Sequence, residues 1–317
     1  MPRSLTSFLF LLCLLAAVTV ARAQEDSREN IVRDGRVLEL HISGQFSETM
    51  RQNLVEWITA ISGSLRLVFG HWPRRQWQVA VAPAPASGSD PIPWAEVERG
   101  DIDRVKFFTS YNTSAMELKG AWTGYHELAH LLIPYRGHGD AWFSEGLASY
   151  YQNILQARSG ILSEQAMWQK LYDGYRRGLA DTRFENHNLR HASDQMRREG
   201  GFMRVYWSGA WYFLVADTRL RQQSRGSLNL DLALKQLNAC CADERLSVPD
   251  MVRKLDDLNR VYLFQPLYHE LVETMAIPPF EPIFASLGIS VADGQVQLQD
   301  QGPGVGIRRG IALGKAL

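Results

Sequence analysis

Apolar and polar residues alternate in three short segments of the N-terminal third, at residues 37–42, 76–82 and 104–111. A period of two predicts half-buried strands. Between the first two segments, residues 47–69 place apolar side chains at helical spacing and predict an amphipathic helix. Residues 24–35 form a polar lead, and residues 83–100, rich in proline, glycine and serine, are expected to form a loop. This part of the chain is therefore predicted to be a small mixed sheet with one helix.

Residues 118–133 are predicted to form a helix that is apolar on nearly every side. Only His126, Glu127 and His130 form a narrow polar edge, and a helix of this composition is expected to be buried. Buried titratable groups are costly unless they are paired or bind a metal. The polar edge therefore indicates a ligand site, and Pro134 ends the helix directly after it.

The following helix is predicted over residues 141–155, with Asp140 as its N-cap. The turn between the two helices returns Glu145 toward the two histidines. Gly146 comes next in the sequence, and its missing side chain would allow two helices to approach closely.

Helical periodicity continues in most of the remaining chain, at residues 162–179, 201–220, 228–237, 248–255 and 261–275. The charged segment 181–199 is expected to be a loop. The glycine-rich end contains one possible strand, residues 295–299, and residues 303–317 are expected to be loosely ordered.

These segments predict an α+β fold with a small mixed sheet lobe, a larger helical lobe, and the helix of the polar edge between them. The predicted divisions are residues 1–23 as a signal peptide, 24–117 as the sheet and helix lobe, 118–290 as the helical lobe and 291–317 as a glycine-rich tail.

The first 23 residues have the pattern of a secretory signal peptide. Arg3 precedes an apolar run over residues 8–20, which ends in the small-residue pattern Ala21-Arg22-Ala23. We expect cleavage after Ala23 and a secreted or periplasmic mature protein. The apolar run is too short for a membrane span, so no stable span is expected after cleavage.

Composition excludes some classes of partner and leaves one cysteine question open. The 34 basic and 34 acidic residues balance, so nothing indicates nucleic-acid binding.

After cleavage the remaining cysteines are Cys240 and Cys241, and sequence neighbours rarely reach ordinary disulfide geometry. They are interpreted as two packed thiols on a helix, with a vicinal disulfide or metal site as the alternative.

The spacing of His126, His130 and Glu145 predicts a catalytic site for one zinc ion. Residues four apart share a helix face, so the two imidazoles can reach one ion. Two histidines and one carboxylate leave a coordination position open for water, as in catalytic zinc sites. Zinc would bring the pKa of that water toward neutrality, and Glu127 would act as general base and then return the proton to the departing amine. The simpler alternative is a surface helix that happens to carry two histidines.

The segments 126–130 and 142–150 resemble the gluzincin metallopeptidases, and within them the aminopeptidase N and glycyl aminopeptidase families. The shared pattern is His-Glu-x-x-His followed by Trp-x-x-Glu-Gly-x-Ala. Fourteen residues separate His130 from Glu145, fewer than in aminopeptidase N, which favours the glycyl aminopeptidase side. The resemblance implies a thermolysin-like fold and a peptide or protein substrate. Relatives often carry a C-terminal PDZ domain, which this chain is expected to lack.

The same resemblance implies that Tyr206 stabilises the oxyanion. Tyr206 lies in the segment Tyr-Trp-Ser-Gly-Ala, where the families have Tyr-x-Lys-Gly-Ala, and the alternative is a core tyrosine in an aromatic helix. Residues 114–118 superficially resemble the aminopeptidase amine-binding motif. They lie too close to His126, however, and are interpreted as the start of its helix, so exopeptidase or endopeptidase action stays open.

Several weaker candidates surround these residues. Ser149 is a candidate hydrogen-bond partner of a metal ligand. His138 and Asp140 flank the turn as possible substrate contacts, with a turn residue and a helix cap as the simpler interpretation. His187 and His191 belong to the charged segment, which either covers the cleft and favours acidic substrates or is an ordinary solvated loop.

Three functions are compatible with the sequence. The first is an exported zinc metallopeptidase. The second is a catalytically silent peptide-binding protein of the cell envelope that retains the zinc fold. The third is a zinc hydrolase of cell-wall peptides.

Overall fold

The structure, a computed structural model, describes residues 26–84, 90–135 and 139–314. The predicted signal peptide and His138 lie outside the described residues. Within the described ranges, no helix combines the length and apolar character needed to cross a membrane.

A five-stranded sheet forms the N-terminal part of the protein. Its strands are β1 (Ser27–Arg33), β2 (Arg36–Ile42), β3 (Gln76–Pro83), β4 (Trp94–Glu98) and β5 (Arg104–Thr109). The order across the sheet is β1-β2-β3-β5-β4, with parallel pairing in the centre and an antiparallel strand at each edge. The predicted mixed sheet is thus observed.

Two of these strands correct the sequence interpretation. β1 was expected to be a polar lead and β4 part of a loop. Both are edge strands with largely exposed or half-buried side chains, so they lack the apolar alternation that identified the others. Their strand character comes from pairing with β2 and β5, a contact that no local pattern records.

Helix α1 (Glu48–Phe69) packs against one face of the sheet. Ser47 caps its first turn by accepting a hydrogen bond from Met50 N at 3.2 Å. Its apolar stripe meets the inward side chains of the central strands, and Trp57 and Phe107 lie 5.0 Å apart between ring centroids. The opposite face of the central strands carries half-buried or exposed side chains, among them Glu39, Gln78 and Lys106.

The remainder of the described chain is mainly helical and ends in a small hairpin and one more helix. The helices up to the hairpin are α2 (Ala115–Gly120), α3 (Trp122–Ala129), α4 (Ala141–Arg158), α5 (Glu164–Ala180), α6 (Leu189–Glu199), α7 (Phe202–Gln223), α8 (Leu230–Cys241), α9 (Val248–Asn259), α10 (Phe264–Val272) and α11 (Glu281–Ser286). The hairpin consists of β6 (Ile289–Ala292) and β7 (Gln295–Leu298), and α12 (Val305–Leu313) follows.

Three helices, α6, α11 and α12, lie where none was expected. α6 occupies most of the segment predicted as a charged loop, because Leu189, Ala192 and Met196 supply a narrow buried stripe in an otherwise charged sequence. α12 lies in the glycine-rich end that was expected to be loosely ordered, and Ile311 buries it against the helical core.

The cysteine interpretation also changes. Cys240 and Cys241, expected to be separate thiols, are joined as a vicinal disulfide at the end of α8. Their adjacency places the two sulfur atoms within bonding reach despite the general rarity of such bridges.

Candidate metal centre and active site

The helix that carries the two histidines is shorter than predicted. Residues 118–133 do not form one helix, because the chain is extended at Ala121 and separates α2 from α3. Ser114 and Glu117 form a capping box at the start of α2, with Glu117 Oε2 accepting from Ser114 N at 2.8 Å. Residues 114–118, expected to begin the histidine-bearing helix, instead begin the separate helix α2, and Glu117 is held in its cap.

The two histidines and Glu145 converge at one point. The Glu145 Oε2 atom lies 3.3 Å from His126 Nε2 and 3.6 Å from His130 Nε2. One ligand atom from each residue lies within 4.8 Å of the others. Both histidines are buried and Glu145 is half-buried. The structure therefore assembles the three predicted ligands from two separate helical segments.

The other ring nitrogen of each histidine has its own partner. His126 Nδ1 lies 2.9 Å from Gln152 Oε1, and His130 Nδ1 lies 2.9 Å from Ser144 Oγ. These contacts orient the rings so that both Nε2 atoms face Glu145, as hydrogen-bonded metal ligands are commonly oriented. The sequence interpretation offered Ser149 for this role, and the structure gives Ser144 and Gln152 instead.

The electrostatics of the three residues suit a metal ion. Burial lowers the pKa of His130 to about 3, so its imidazole is neutral. Burial alone would raise the pKa of Glu145, but His130 and His126 outweigh it and lower that pKa to about 2. Burial would also lower the pKa of His126, but the hydrogen bond to Glu145 and the charges of Glu127 and Glu145 outweigh it and raise that pKa, so a metal at His126 would displace a proton. Two imidazole nitrogens and an ionised carboxylate form a donor set that zinc accepts.

Glu127 lies beside the ligands without joining them. Its side chain is only partly exposed. Burial, reinforced by the negative charges of Glu145 and Glu96, raises the pKa of Glu127 to about 7, although His126 opposes the shift. A carboxylate with a pKa near neutrality can both accept and release a proton at physiological pH.

Tyr206 belongs to the site. It lies in the second turn of α7, and its ring stacks on His126 at 6.0 Å and 19°. Its hydroxyl donates a hydrogen bond to the Glu145 carboxylate. Burial and the nearby Glu145 raise the pKa of Tyr206, so the hydroxyl keeps its proton. Tyr206 is partly exposed, unlike the buried Trp207, so it is not simply a core tyrosine.

Gly146 allows α4 to approach α7 closely, whereas the sequence predicts a close approach of α4 to the helix that carries the two histidines. A Cβ atom at Gly146 would lie 2.3 Å from the Cα of Gly209, on α7. The backbones of α4 and α7 therefore touch at this point. This contact fixes the distance between Glu145, on α4, and Tyr206, on α7.

Asp140 precedes α4 but does not cap it. Its backbone is in the left-handed region at φ 54°, and its side chain makes no capping hydrogen bond. Instead Asp140 accepts from Trp142 Nε1 at 3.2 Å and from the Tyr268 hydroxyl at 3.3 Å. Ser193 Oγ, on α6, accepts from Trp142 N at 3.1 Å. Ser193 takes the expected capping contact, and sequence reasoning missed it because α6 was interpreted as a loop.

The two remaining histidine candidates are not part of this centre. His187 and His191 are exposed and stack on each other at 4.5 Å, beside Phe184. Within the described part of the chain, the only group of three potential metal ligands is His126, His130 and Glu145.

Comparison with known proteins finds one family model that matches part of the chain and several solved structures of similar fold. The family model of the M61 glycyl aminopeptidase matches residues 136–223, a range that includes Glu145 and Tyr206 and begins after the two histidines. A search of curated proteins finds no match to the chain. The predicted resemblance to glycyl aminopeptidases is confirmed by the family match.

Solved structures of similar fold include an aminopeptidase N family protein and M1 zinc metallopeptidases. An aminopeptidase N family protein from Idiomarina loihiensis is 16% identical, with a TM-score of 0.63 over 84% of this chain and 50% of its own. An M1 zinc metallopeptidase from Deinococcus radiodurans is 20% identical, with a TM-score of 0.52 over 80% of this chain and 53% of its own. A variant of an M1 zinc metallopeptidase from the same organism was solved with a Tyr-Ser-Ala substrate. It is 18% identical, with a TM-score of 0.53 over 80% of this chain and 53% of its own.

This chain spans about half the length of those structures. At such identities the likeness shows the fold, and it confirms the expected mixed α and β architecture.

Proposed function

We propose that the protein is an exported zinc-dependent metallopeptidase. The convergence of His126, His130 and Glu145, with both Nδ1 atoms engaged elsewhere, is the observation that carries the proposal. The glycyl aminopeptidase family match and the fold of the similar zinc peptidases support it. The substrate is a peptide or protein.

The three ligands would hold one zinc ion through the two Nε2 atoms and the Glu145 carboxylate. When bound, zinc supplies a Lewis acid that polarises the scissile carbonyl and activates water.

Glu127 moves the proton. Its carboxylate accepts a proton from the attacking water while the oxygen of that water bonds to the carbonyl carbon. When the carbon–nitrogen bond breaks, Glu127 returns the proton to the departing amine.

Tyr206 stabilises the charge that develops on the carbonyl oxygen. Its hydroxyl lies beside the Glu145 carboxylate and keeps its proton because its pKa is raised. A neutral hydroxyl held near the reacting carbonyl can donate a hydrogen bond to the oxyanion.

The proposal includes a thermolysin-like arrangement of two lobes and export. The five-stranded sheet and α1 come before the other helices in the chain, and α3 lies near the start of the helical part, which supports the two-lobe arrangement. Export rests on the signal-peptide pattern of the first 23 residues.

The test compares the zinc content and the peptidase activity of the exported protein with those of Glu127→Gln. Both should bind one zinc per chain, and only the unaltered protein should cleave a mixed peptide library read by mass spectrometry. Glu117→Gln is the matched control, because Glu117 is a carboxylate held in a helix cap. N-terminal sequencing of the exported protein should begin at Gln24.

Two other results would replace the proposal. Stoichiometric zinc without cleavage in the folded, unaltered protein would favour the silent peptide-binding function. Cleavage confined to cell-wall peptides would favour the cell-wall hydrolase. Equal activity in Glu127→Gln would remove Glu127 from the mechanism.

A further inference from the structure

Two large aromatic side chains lie exposed at the edges of the candidate active site. Trp122 is 45% exposed and Phe202 is 40% exposed. Trp122 is four residues before His126 on α3, and Phe202 is four residues before Tyr206 on α7. Because residues four apart share a helix face, each aromatic side chain lies on the face that carries a site residue.

Ring contacts join these residues in one row. The ring centroids of Trp122 and His126 are 5.6 Å apart, and those of Phe202 and Tyr206 are 6.2 Å apart. His126 and Tyr206 stack between them at 6.0 Å. The row therefore has an exposed apolar ring at each end and the candidate catalytic groups in the middle.

This arrangement suits an extended ligand with a polar centre and an apolar side chain. Binding sites commonly combine a few convergent polar groups with aromatic walls. The polar groups at the centre of the row would face the peptide bond. A neighbouring side chain of the same peptide would then reach one of the two exposed rings, where burying it removes apolar surface from water.

We propose that Trp122 and Phe202, one at each end of the row, each bind a large apolar or aromatic side chain of the peptide next to the bond that is cleaved. The inference rests on the proposed function and names the class of substrate that the site prefers. It differs from the alternative in which the charged segment around α6 selects acidic peptides.

The test measures binding separately from turnover. The zinc-loaded Glu127→Gln protein is titrated by calorimetry with hexapeptides Ala-Ala-X-Ala-Ala-Ala, in which X is Phe, Leu, Asp or Gly. Each peptide is used with a free and with an acetylated N-terminus. We expect the Phe and Leu peptides to bind about tenfold to a hundredfold more tightly than the Gly peptide, the ratio expected for burying one large apolar side chain.

Matched variants assign that preference to the two rings. Trp122→Ala and Phe202→Ala, each made in the Glu127→Gln background, should reduce the preference, and the double variant should abolish it. Trp122→Phe should retain most of it. Tyr262→Ala should leave it unchanged, because Tyr262 is an aromatic residue that is 82% exposed, in the turn between α9 and α10. Zinc content and thermal unfolding check that every variant is folded.

The results that would contradict the aromatic binding site differ from those that would contradict the proposed hydrolysis. The inference fails if the Phe and Gly peptides bind equally, if the preference survives in the double variant, or if the Asp peptide binds most tightly. If the ring-dependent preference is present but the unaltered protein cleaves none of the peptides, the binding site stands and the proposed hydrolysis fails.

Discussion

Asp103 connects the sheet to the backbone of a metal ligand, and changing it should affect both stability and zinc binding. Asp103 is 3% exposed, and its Oδ2 accepts from Arg74 Nε at 2.7 Å and from Arg99 Nη1 at 2.9 Å. Arg99 also donates to the His130 carbonyl, and Arg74 donates to the Ile133 carbonyl at 3.3 Å. One carboxylate therefore holds two arginines that clamp the turn containing His130.

The Asp103→Asn variant keeps the shape of the side chain and removes its charge. The buried Arg74 and the half-buried Arg99 would both lose the negative charge of Asp103, and breaking a buried ion pair from one side costs about 3–5 kcal/mol. We therefore expect the free energy of unfolding of the metal-free protein to fall by about that amount. Asp34→Asn is the control, because Asp34 pairs with Arg66 at 2.8 Å with both side chains about 40% exposed. Its loss should stay below about 1 kcal/mol.

The measurement is urea unfolding followed by circular dichroism, with zinc affinity measured by competition against a chelator. Because the His130 turn loses a support, Asp103→Asn should weaken zinc binding by about tenfold to a hundredfold, the range typical of groups that support a metal ligand. Asp34→Asn should bind zinc as tightly as the unaltered protein. Equal losses of stability in the two variants would refute the reasoning.

The stability that Asp103→Asn loses should decrease as the pH falls. Burial alone would raise the pKa of Asp103, but Arg99 and Arg74 outweigh it and hold that pKa below its ordinary value of 3.8. A carboxyl with a lowered pKa in the folded state stabilises the fold above its unfolded pKa, and this contribution disappears as the pH falls through the folded value. The stability difference between the unaltered protein and Asp103→Asn should therefore be complete at pH 7 and shrink below about pH 4.

Two further predictions concern the contact between α4 and α7. Tyr206→Phe should retain zinc and lower turnover about a hundredfold to a thousandfold, the usual cost of losing one oxyanion donor; unchanged turnover would exclude Tyr206 from the mechanism. Gly146→Ala should destabilise the protein by about 1–3 kcal/mol in urea unfolding, because the new methyl group meets the Gly209 backbone at 2.3 Å. Gly63→Ala, on α1 with nothing within 4 Å, should instead stabilise it by about 0.5–1 kcal/mol, and a loss at both positions would contradict the steric account.

The sequence predicts the parts of the site that local geometry determines. His126 and His130 are four residues apart, so any helical segment brings both imidazoles to one side, even though α3 is shorter than expected and ends before His130. Helix α1 is equally local, because its apolar stripe and its Ser47 cap lie within one segment. Such features depend only on residues close together in the chain, so they can be predicted from one sequence.

The features that the sequence does not reveal depend on contacts between distant segments. β1 and β4 are strands because β2 and β5 lie beside them, and their own side chains are too exposed to show it. α6 buries only a narrow stripe, and its charged residues make the segment resemble a loop. The same applies to Asp103, which is an ordinary charged residue until the fold places two arginines beside it.

Helix α4 shows where prediction could have gone one step further. Gln152 lies seven residues after Glu145, which is about two helical turns, so both side chains project from the same face. Ser149, one turn after Glu145, lies near that face too, but its short side chain was preferred only because it is close in sequence. The longer Gln152 reaches His126 Nδ1 at 2.9 Å. Periodicity would therefore have indicated Gln152 as well as Ser149, and the longer side chain of Gln152 is what lets it reach His126.

α4 also explains why the short gap between His130 and Glu145 is compatible with a complete site. Glu145 faces the histidines, and Ser144 and Gln152 support them from the same helix. Gly146, next along the helix, presses α4 against α7, which carries Tyr206. One helix thus sets the positions of the third ligand, both supporting groups and the α7 contact.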